Sequence, residues 1–190
     1  MGKRITDRSF FTKPAEELAK NLIGKIICHS ISEDNIIRFR LIETEAYGKN
    51  DSACHSNKYK SGNGVESQKM IGGTIYVHVN NKDGSGSMFD IVANKENIGE
   101  GVLIRGGINI DNPSEIYESA PILLGRALQI NYKSLNQSDL LTSKEIWIED
   151  DGFIAKDKIT ENKRKGLEDT EGVTEKDKNR KWRFDLELNK

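Results

Sequence analysis

Hydrophobic residues recur along this chain at two different spacings, which predict both helices and strands. The apolar stripe in residues 18–23 predicts a helix that Thr12 caps and Gly24 ends, with Pro14 tolerated in its first turn. A second helical spacing runs through residues 122–130. Each predicted helix has one apolar face, so we expect both to pack against a sheet.

Runs of alternating or continuous apolar residues predict several short strands. Ile154 and residues 146–148 are expected to form a strand pair around the turn at 150–152. Polar residues 82–87 predict a hairpin tip, and residues 48–73 predict a long surface loop that could include one helical turn. The predicted strands are residues 25–29, 36–47, 74–79, 88–93, 102–105, 146–148 and 182–186.

These elements together predict an α+β fold. We expect a single domain over residues 1–190, built on a curved, mainly antiparallel β-sheet with surrounding helices. A chain of 190 residues can bury a hydrophobic core without disulfides or metals. Residues 170–181 are nearly all charged or small, so we expect a flexible insertion there.

The composition is that of a folded protein with a highly charged surface. Hydrophobic residues make up 35% and charged residues 31% of the chain, which excludes a disordered chain. The only two cysteines, Cys28 and Cys54, have no paired spacing, so we expect reduced thiols in an intracellular protein. No run is long enough to span a membrane, and the N-terminus lacks the apolar stretch of a signal peptide. We therefore expect no membrane association.

The formal net charge of −1 argues mildly against nucleic acid as a ligand, because nucleic-acid-binding proteins usually present a basic surface. The charges are nevertheless segregated along the chain. Lys58, Lys60 and Lys69 have no acidic neighbour within two positions, whereas residues 149–151 and 168–169 form acidic clusters. A local basic face can coexist with such clusters, so nucleic acid stays open as a ligand.

Candidate catalytic groups lie where predicted strands end, a common place for functional residues. Glu45 and Tyr47 end one strand, and His55 follows in the loop. Arg105 ends a separate strand. Together these side chains would suit activation of a water molecule beside a stacked ring. Spacing alone leaves two alternatives open: Glu45 could simply be solvated, and Arg105 could serve only as a salt-bridge partner.

Several motifs resemble the alkyladenine (3-methyladenine) DNA glycosylase family. Residues 38–47 read R-F-R-L-I-E-T-E-A-Y, are followed by H-S at 55–56, and are similar to the family's strand-and-loop motif. G-T-I-Y-V at 73–77 and G-V-L-I-R at 101–105 are similar to two further family strands. Residues 11–24 resemble the family's opening segment. The first motif is specific, and the others support it because they occur in the family's order.

The resemblance implies a monofunctional DNA glycosylase in base excision repair. Such an enzyme hydrolyses the N-glycosidic bond of alkylated purines of the 3-methyladenine type, after flipping the base out of double-stranded DNA. It implies no cofactor and no metal, and we expect a monomer. The expected location is the bacterial cytoplasm with the nucleoid, or the nucleus if the source is eukaryotic.

Matched position by position, the resemblance also implies roles for individual residues. Glu45 would be the general base that activates the attacking water, and Arg105 would help to hold that water. Tyr47 would stack on one face of the flipped base, with His55 and His78 near the other face. Tyr76 without this context is more often a packed sheet aromatic. The implied base-binding residues are Tyr47, His55, Tyr76, His78 and Asp90.

The sequence departs from the family pattern at the recognition positions. His78 stands where the family usually has tyrosine, and Asp90 where it has an asparagine at the edge of the base. The family's tyrosine wedge, which fills the space left by the flipped base, is missing from a slightly longer tip. The residues expected in this DNA-contacting loop are Asn80, Asn81, Lys82 and Met88.

Three functions are compatible with these residues. The first is an active glycosylase with an altered choice of lesion. The second is a non-catalytic protein that binds damaged DNA, and the third is a nucleotide-binding β-rich module. Retention of Glu45 and Arg105 favours the first, since a pure binder needs neither. The missing wedge and the near-neutral charge favour the others.

Overall fold

The sheet is organised around its two longest strands, β3 and β6, which lie side by side and run antiparallel. The computed structural model describes residues 2–79, 87–155 and 158–188. The main sheet follows the order β1-β8-β2-β3-β6-β5-β4, while β10 joins β3 to β9 and β7 pairs with β6. The strands are β1 (Lys3–Arg4), β2 (Ile26–Ser32), β3 (Asn35–Tyr47), β4 (Ile75–Val77), β5 (Phe89–Ala93), β6 (Glu100–Asn109), β7 (Ile116–Tyr117), β8 (Ile146–Asp150), β9 (Ile159–Asn162) and β10 (Arg183–Leu186).

Short helices surround this curled antiparallel sheet, so the predicted single-domain α+β fold is confirmed. The longest helix, α1, lays a buried apolar face on β3 and β6. Within the described residues, no helix has the length and apolar character needed to cross a membrane. The helices are α1 (Ala15–Leu22), α2 (His55–Lys58), α3 (Asn63–Gln68), α4 (Pro121–Ala127), α5 (Tyr132–Leu135) and α6 (Glu175–Lys178).

The start of α1 differs from the prediction. Thr12 does not cap this helix, because the chain first makes a 3-10 turn and the Thr12 hydroxyl donates to the Arg8 carbonyl at 3.3 Å. The helix begins after Pro14, and the amide of Ala15 donates to the Glu100 carboxylate of β6 at 2.8 Å. Glu100, which is distant in sequence, therefore caps the start of α1 in place of a local side chain.

The end of α1 is as predicted. Gly24 follows the helix with a φ of +84°, a conformation that glycine adopts without strain. The chain reverses there and enters β2.

The predicted strand pair near residues 146–154 is wrong. β8 is a strand, but it pairs with β1 and β2 instead of with a neighbouring hairpin partner. Ile154 lies outside any strand and is 77% exposed. The turn is held differently, because Arg40 of β3 forms an ion pair with Asp151 at 2.7 Å and its guanidinium lies over the Phe153 ring.

Two polar segments contain more structure than their composition suggests. The loop at 48–73 includes both α2 and α3, where at most one helical turn was considered. The segment at 170–181, expected to be flexible, includes α6. Within it, Asp177 is buried and accepts hydrogen bonds from the amide and hydroxyl of Ser52 at 2.9 and 2.6 Å. These bonds attach α6 to the loop that follows β3.

A bulge in β3 decides which side chains leave the core. The pairing of β3 with β6 shifts register between Leu41 and Thr44. Before the bulge the odd-numbered Phe39 and Leu41 lie in the core, whereas after it the hydroxyl of Thr44 faces α1 and Ala46 lies in the core. Leu41 and Thr44 are three residues apart, a spacing that places side chains on opposite faces of a regular strand, so the irregular pairing exchanges the two faces of β3. The side chains that consequently turn away from the core are Glu43, Glu45 and Tyr47.

Candidate active site

A row of paired residues crosses the sheet on the face that β3 exposes after its bulge. Glu45 of β3 pairs with Leu103 of β6, and Leu103 pairs with Asp90 of β5. Directly paired residues point to the same face of a sheet. Adjacent strands are about 4.8 Å apart, so the backbones at Glu45 and Asp90 lie roughly 10 Å from each other with Leu103 between them.

A cavity of about 380 Å³ opens over this row. Its volume lies in the range of small-molecule sites. Residues from β3, β5, β6 and the loops around α2 and α4 form its wall, and Lys165 and Leu167 contribute from the segment that follows β9. The lining side chains include Tyr47, His55, His78, Met88, Asp90 and Arg105.

Glu45 lies directly behind three of the lining residues and is fully buried. Its Oε2 accepts from the Tyr47 hydroxyl at 2.9 Å and from Nη1 of Arg105 at 3.2 Å. Its Oε1 accepts from the backbone amide of Lys165 at 2.8 Å. Burial raises the pKa of Glu45 above the ordinary carboxyl value, although Arg105 and the Lys165 amide act against it. The result is a tightly held carboxylate with a tendency to accept a proton.

Arg105 bridges two carboxylates. Its Nε contacts Glu43 at 3.2 Å, while its Nη1 contacts Glu45. Burial raises the pKa of Glu43, but hydrogen bonds from Ser119 and the charge of Arg105 outweigh burial and bring that pKa below its ordinary value. Arg183 adds a contact to Glu43 at 3.2 Å. Arg105 is thus a salt-bridge partner and also part of the cavity wall.

Tyr47 contributes its hydroxyl to Glu45 and its ring to the cavity wall. Burial, together with the neighbouring Glu45 carboxylate, raises the pKa of the Tyr47 hydroxyl well above its ordinary value. The hydroxyl therefore remains a hydrogen-bond donor at neutral pH. The guanidinium of Arg164 lies over the Tyr47 ring, 4.7 Å from its centroid.

The opposite wall is a cluster of rings with a carboxylate at its base. His55 Nδ1 lies 3.1 Å from the Tyr76 hydroxyl, and the rings of Tyr76 and His78 stack with centroids 4.5 Å apart. His78 Nε2 lies 2.9 Å from Asp90 Oδ1, and Gln68 donates to Oδ2 at 3.4 Å. Burial lowers the pKa of His55, which favours its neutral form. Tyr76 supports this wall from behind His78.

The structure brings most of the predicted site residues to one cavity, including Met88 from the loop before β5. Asn80, Asn81 and Lys82 lie outside the described residues. Among residues 2–79, 87–155 and 158–188, no group of three or more histidine, cysteine and acidic side chains is arranged to hold a metal ion.

Sequence reasoning missed the residues that hold the carboxylates in place. Lys165 acts through its backbone amide, and a backbone group leaves no signal in the residue type. The Ser119 hydroxyl donates to Glu43, and Ser119 has a φ of +51°, a conformation that a serine in a sequence does not predict. Gln68 comes from α3, which was predicted as loop. Glu43 lies within the strand predicted at residues 36–47 but had no predicted role.

Comparison with known proteins agrees with this geometry. Residues 9–190 match the family model described as methylpurine-DNA glycosylase. A protein from Natranaerobius thermophilus is 32% identical over 94% of this chain and 93% of its own length. One from Borreliella burgdorferi strain ZS7 is 33% identical over 97% of both chains. One from Clostridium perfringens strain 13 is 29% identical over 96% of both chains.

All three relatives are provisionally named 3-methyladenine DNA glycosylases. The family match covers the whole site, from the opening helix through Glu45 and Arg105 to the segment around Lys165. The chain therefore belongs to the methylpurine-DNA glycosylase family.

Proposed function

We propose that this protein excises alkylated purines from double-stranded DNA by hydrolysing their N-glycosidic bond in base excision repair. The observation that carries the proposal is the row formed by Glu45, Leu103 and Asp90 beneath the cavity. A base inside a duplex cannot be reached, so the damaged purine must flip into this cavity. The relatives are bacterial, and we propose that this protein acts as a monomer with the nucleoid in the bacterial cytoplasm.

The row gives the flipped purine an orientation. With its sugar end near Glu45 and its rings over Leu103, the far edge of the base faces Asp90. A span of roughly 10 Å between the two acidic positions suits a fused double ring with a sugar carbon at one end. The positive charge of an alkylated purine also suits a cavity that has Asp90 in its lining and the Glu45 carboxylate directly behind the lining.

Glu45 is proposed as the general base. Both side-chain donors to Glu45, from Tyr47 and Arg105, bind Oε2, whereas the Lys165 amide binds Oε1. A water molecule that exchanges with one donor at Oε2 would be positioned to attack the sugar carbon. The raised pKa of Glu45 suits it to take the proton from that water. Its negative charge also stabilises the oxocarbenium-like sugar.

Tyr47, His55 and His78 are proposed to hold the base between them. Their rings face the same cavity, and ring contacts provide the stacking surface that a flipped purine needs. Tyr76 would act indirectly, by fixing the rings of His55 and His78. Asn80, Asn81, Lys82 and Met88 are proposed to contact the DNA where the base leaves the stack.

The proposal is tested by product analysis on a duplex with one 7-methylguanine. We expect free 7-methylguanine and an intact strand that breaks only after alkali treatment, because hydrolysis leaves an abasic site without cutting DNA. The undamaged duplex is the control and should release no base. Binding of the lesion without base release would support the non-catalytic damage binder instead. Absence of both would leave the proposal without support.

A further inference from the structure

A buried cation outside the cavity contacts the site from behind. The side chains of Arg164 and Asp51 are both 0% exposed and form an ion pair. Arg164 also donates to the Ala46 carbonyl at 2.9 Å and to the Asp177 carbonyl at 3.0 Å. It therefore ties the end of β3 to the loop after it and to α6.

Two groups of the proposed reaction depend on the position of this residue. The Arg164 guanidinium lies over the Tyr47 ring, on a side chain whose hydroxyl donates to Glu45. The next residue, Lys165, donates its amide to Glu45. A shift of the Arg164 backbone would therefore move the Lys165 amide directly, and a shift of its side chain would release the Tyr47 ring.

Stability alone is a poor explanation for such a pair. Removing two charges from water is costly, and well-packed apolar side chains often replace a buried ion pair without loss of stability. A planar guanidinium has a geometry that apolar side chains lack, because it can stack on a ring and donate to several acceptors at once. Arg164 makes both kinds of contact.

We propose that Arg164 is a positioning residue for the glycosylase reaction, holding the Tyr47 ring and the Lys165 amide so that the Glu45 carboxylate stays in its reactive orientation. This inference depends on the proposed function of Glu45. Arg164 is not itself among the residues that line the cavity. It acts through Tyr47 and Lys165.

The charge of Arg164 gives the inference a specific signature. The charged or titratable groups around Glu45 are Tyr47, Arg105 and Arg164. Glu43 lies across Arg105, Asp51 across Arg164, and Arg183 on the neighbouring strand β10. Arg164 lowers the pKa of Glu45 against the dominant effect of burial. A general base acts when deprotonated, so the rate falls as pH drops through its pKa. Loss of the Arg164 charge should move that acid limb to higher pH.

The experiment measures single-turnover release of 7-methylguanine against pH at saturating enzyme. Arg164→Met should lower the plateau rate roughly a hundredfold, the effect of misplacing a catalytic group, and shift the acid limb to higher pH. Arg164→Lys keeps the positive charge but loses the planar guanidinium. We expect its plateau rate to fall about tenfold, while the acid limb of its pH–rate profile stays near that of the parent. Because the parent and all variants act on the same DNA, titration of the lesion affects every pH–rate profile equally and does not contribute to the differences between them.

Arg180→Gln is the matched control. Like Arg164, Arg180 stacks on an aromatic ring, with its guanidinium 4.2 Å from the Trp182 centroid, and it forms an ion pair with Asp177 at 2.7 Å. Its contacts do not include Tyr47 or Glu45. We expect a plateau rate within about twofold of the parent and an unshifted limb, even if the variant is less stable.

Asp51→Asn is the second test and does not depend on folding of the methionine variant. It leaves the Arg164 charge uncompensated, so the acid limb should move to lower pH, opposite to Arg164→Met. If these substitutions acted only through lost packing, both Arg164→Met and Asp51→Asn would have lower plateau rates, but their acid limbs would not move in opposite directions. The inference is overturned if the foldable variants retain the parent's rate and limb, or if Arg180→Gln shows the same loss. A parent protein that releases no base would instead overturn the proposed function.

Discussion

The two walls of the cavity are built on different principles. On the β3–β6 side, Glu43 and Glu45 share Arg105, and every carboxylate oxygen has a donor. On the β4–β5 side, Asp90 contacts His78 and Gln68, and His55, Tyr76 and His78 meet mainly through their rings. The first wall resembles the family pattern, whereas the second contains the departures from it.

This difference indicates which wall of the cavity can accept amino-acid substitutions. Residues on the β3–β6 wall are interlocked by charge, so changing one leaves a buried partner uncompensated. Residues on the β4–β5 wall share no buried cation in this way, so we expect them to be exchanged more freely. The proposed chemistry therefore lies on the interlocked wall and the proposed choice of lesion on the other.

Breaking the interlocked wall should have the largest effect. Arg105→Met leaves Glu43 and Glu45 buried without their shared cation, so we expect a stability loss of about 3–5 kcal/mol. The rate of base release should fall by on the order of a hundredfold or more, because the proposed contact to the attacking water is lost as well. Urea unfolding and single-turnover kinetics measure the two effects. A variant with the parent's stability would contradict the interlocked arrangement.

Changing the recognition wall should alter selectivity more than rate. Asp90 is buried at the cavity, and a negative charge beside the base favours a cation. We expect the parent to release cationic 7-methylguanine faster than neutral hypoxanthine by more than their spontaneous rates differ. Asp90→Asn should reduce this ratio roughly tenfold, since one charge near a ligand is worth about that much.

Asp185→Asn is the control for that comparison, because Asp185 lies on β10 in the same sheet but lines a different cavity with Glu43 and Ser119. Its selectivity should equal the parent's. Equal release of both lesions by the parent would show that Asp90 does not select for charge.

The smallest effect should come from the exposed rim. Lys165 is exposed at the cavity and its ammonium donates to the Ser119 hydroxyl at 2.6 Å. We expect this ammonium to contact a DNA phosphate, so Lys165→Gln should reduce the salt dependence of affinity by about 0.9 in the slope of log K against log salt. The plateau rate should stay within about twofold, since the backbone amide that holds Glu45 is retained.

Lys3→Gln is the matched control, because Lys3 lies on β1 at the far edge of the sheet. Its salt slope should match the parent's. A steep salt dependence in the parent would also show that local cations outweigh the net charge of −1. If Lys165→Gln and Lys3→Gln have the same slope, Lys165 contacts no phosphate.

The sequence predicted those features that depend on local periodicity. The strand around Tyr76 was predicted because its apolar residues alternate, and those around Asp90 and Leu103 because they are short apolar runs. Gly24 was predicted to end α1, and its positive φ is a conformation that glycine adopts without strain. The resemblance supplied Glu45 and its partners, which periodicity alone would have left on a solvated strand end.

Long-range contacts were not predictable in this way. The cap of α1 comes from Glu100, far along the chain, and Thr12 looked like a cap only because it was nearby. The pairing of β8 with β1 and β2 likewise depends on segments distant in sequence. The irregular pairing of β3 with β6 turns Glu45 away from the core. No pattern of residues within β3 predicts this irregularity, because it depends on β6.

The measurement that tests the central claim most directly is single-turnover release of 7-methylguanine by Glu45→Gln beside the parent. Glutamine keeps the size of the side chain but cannot take a proton from water. We predict a loss of at least about a hundredfold in the rate of base release. Affinity for a duplex with an abasic-site analogue should stay within a few-fold of the parent's, which shows that the fold and the DNA contacts survive. A variant that releases the base as fast as the parent would contradict the assignment of Glu45 as the general base.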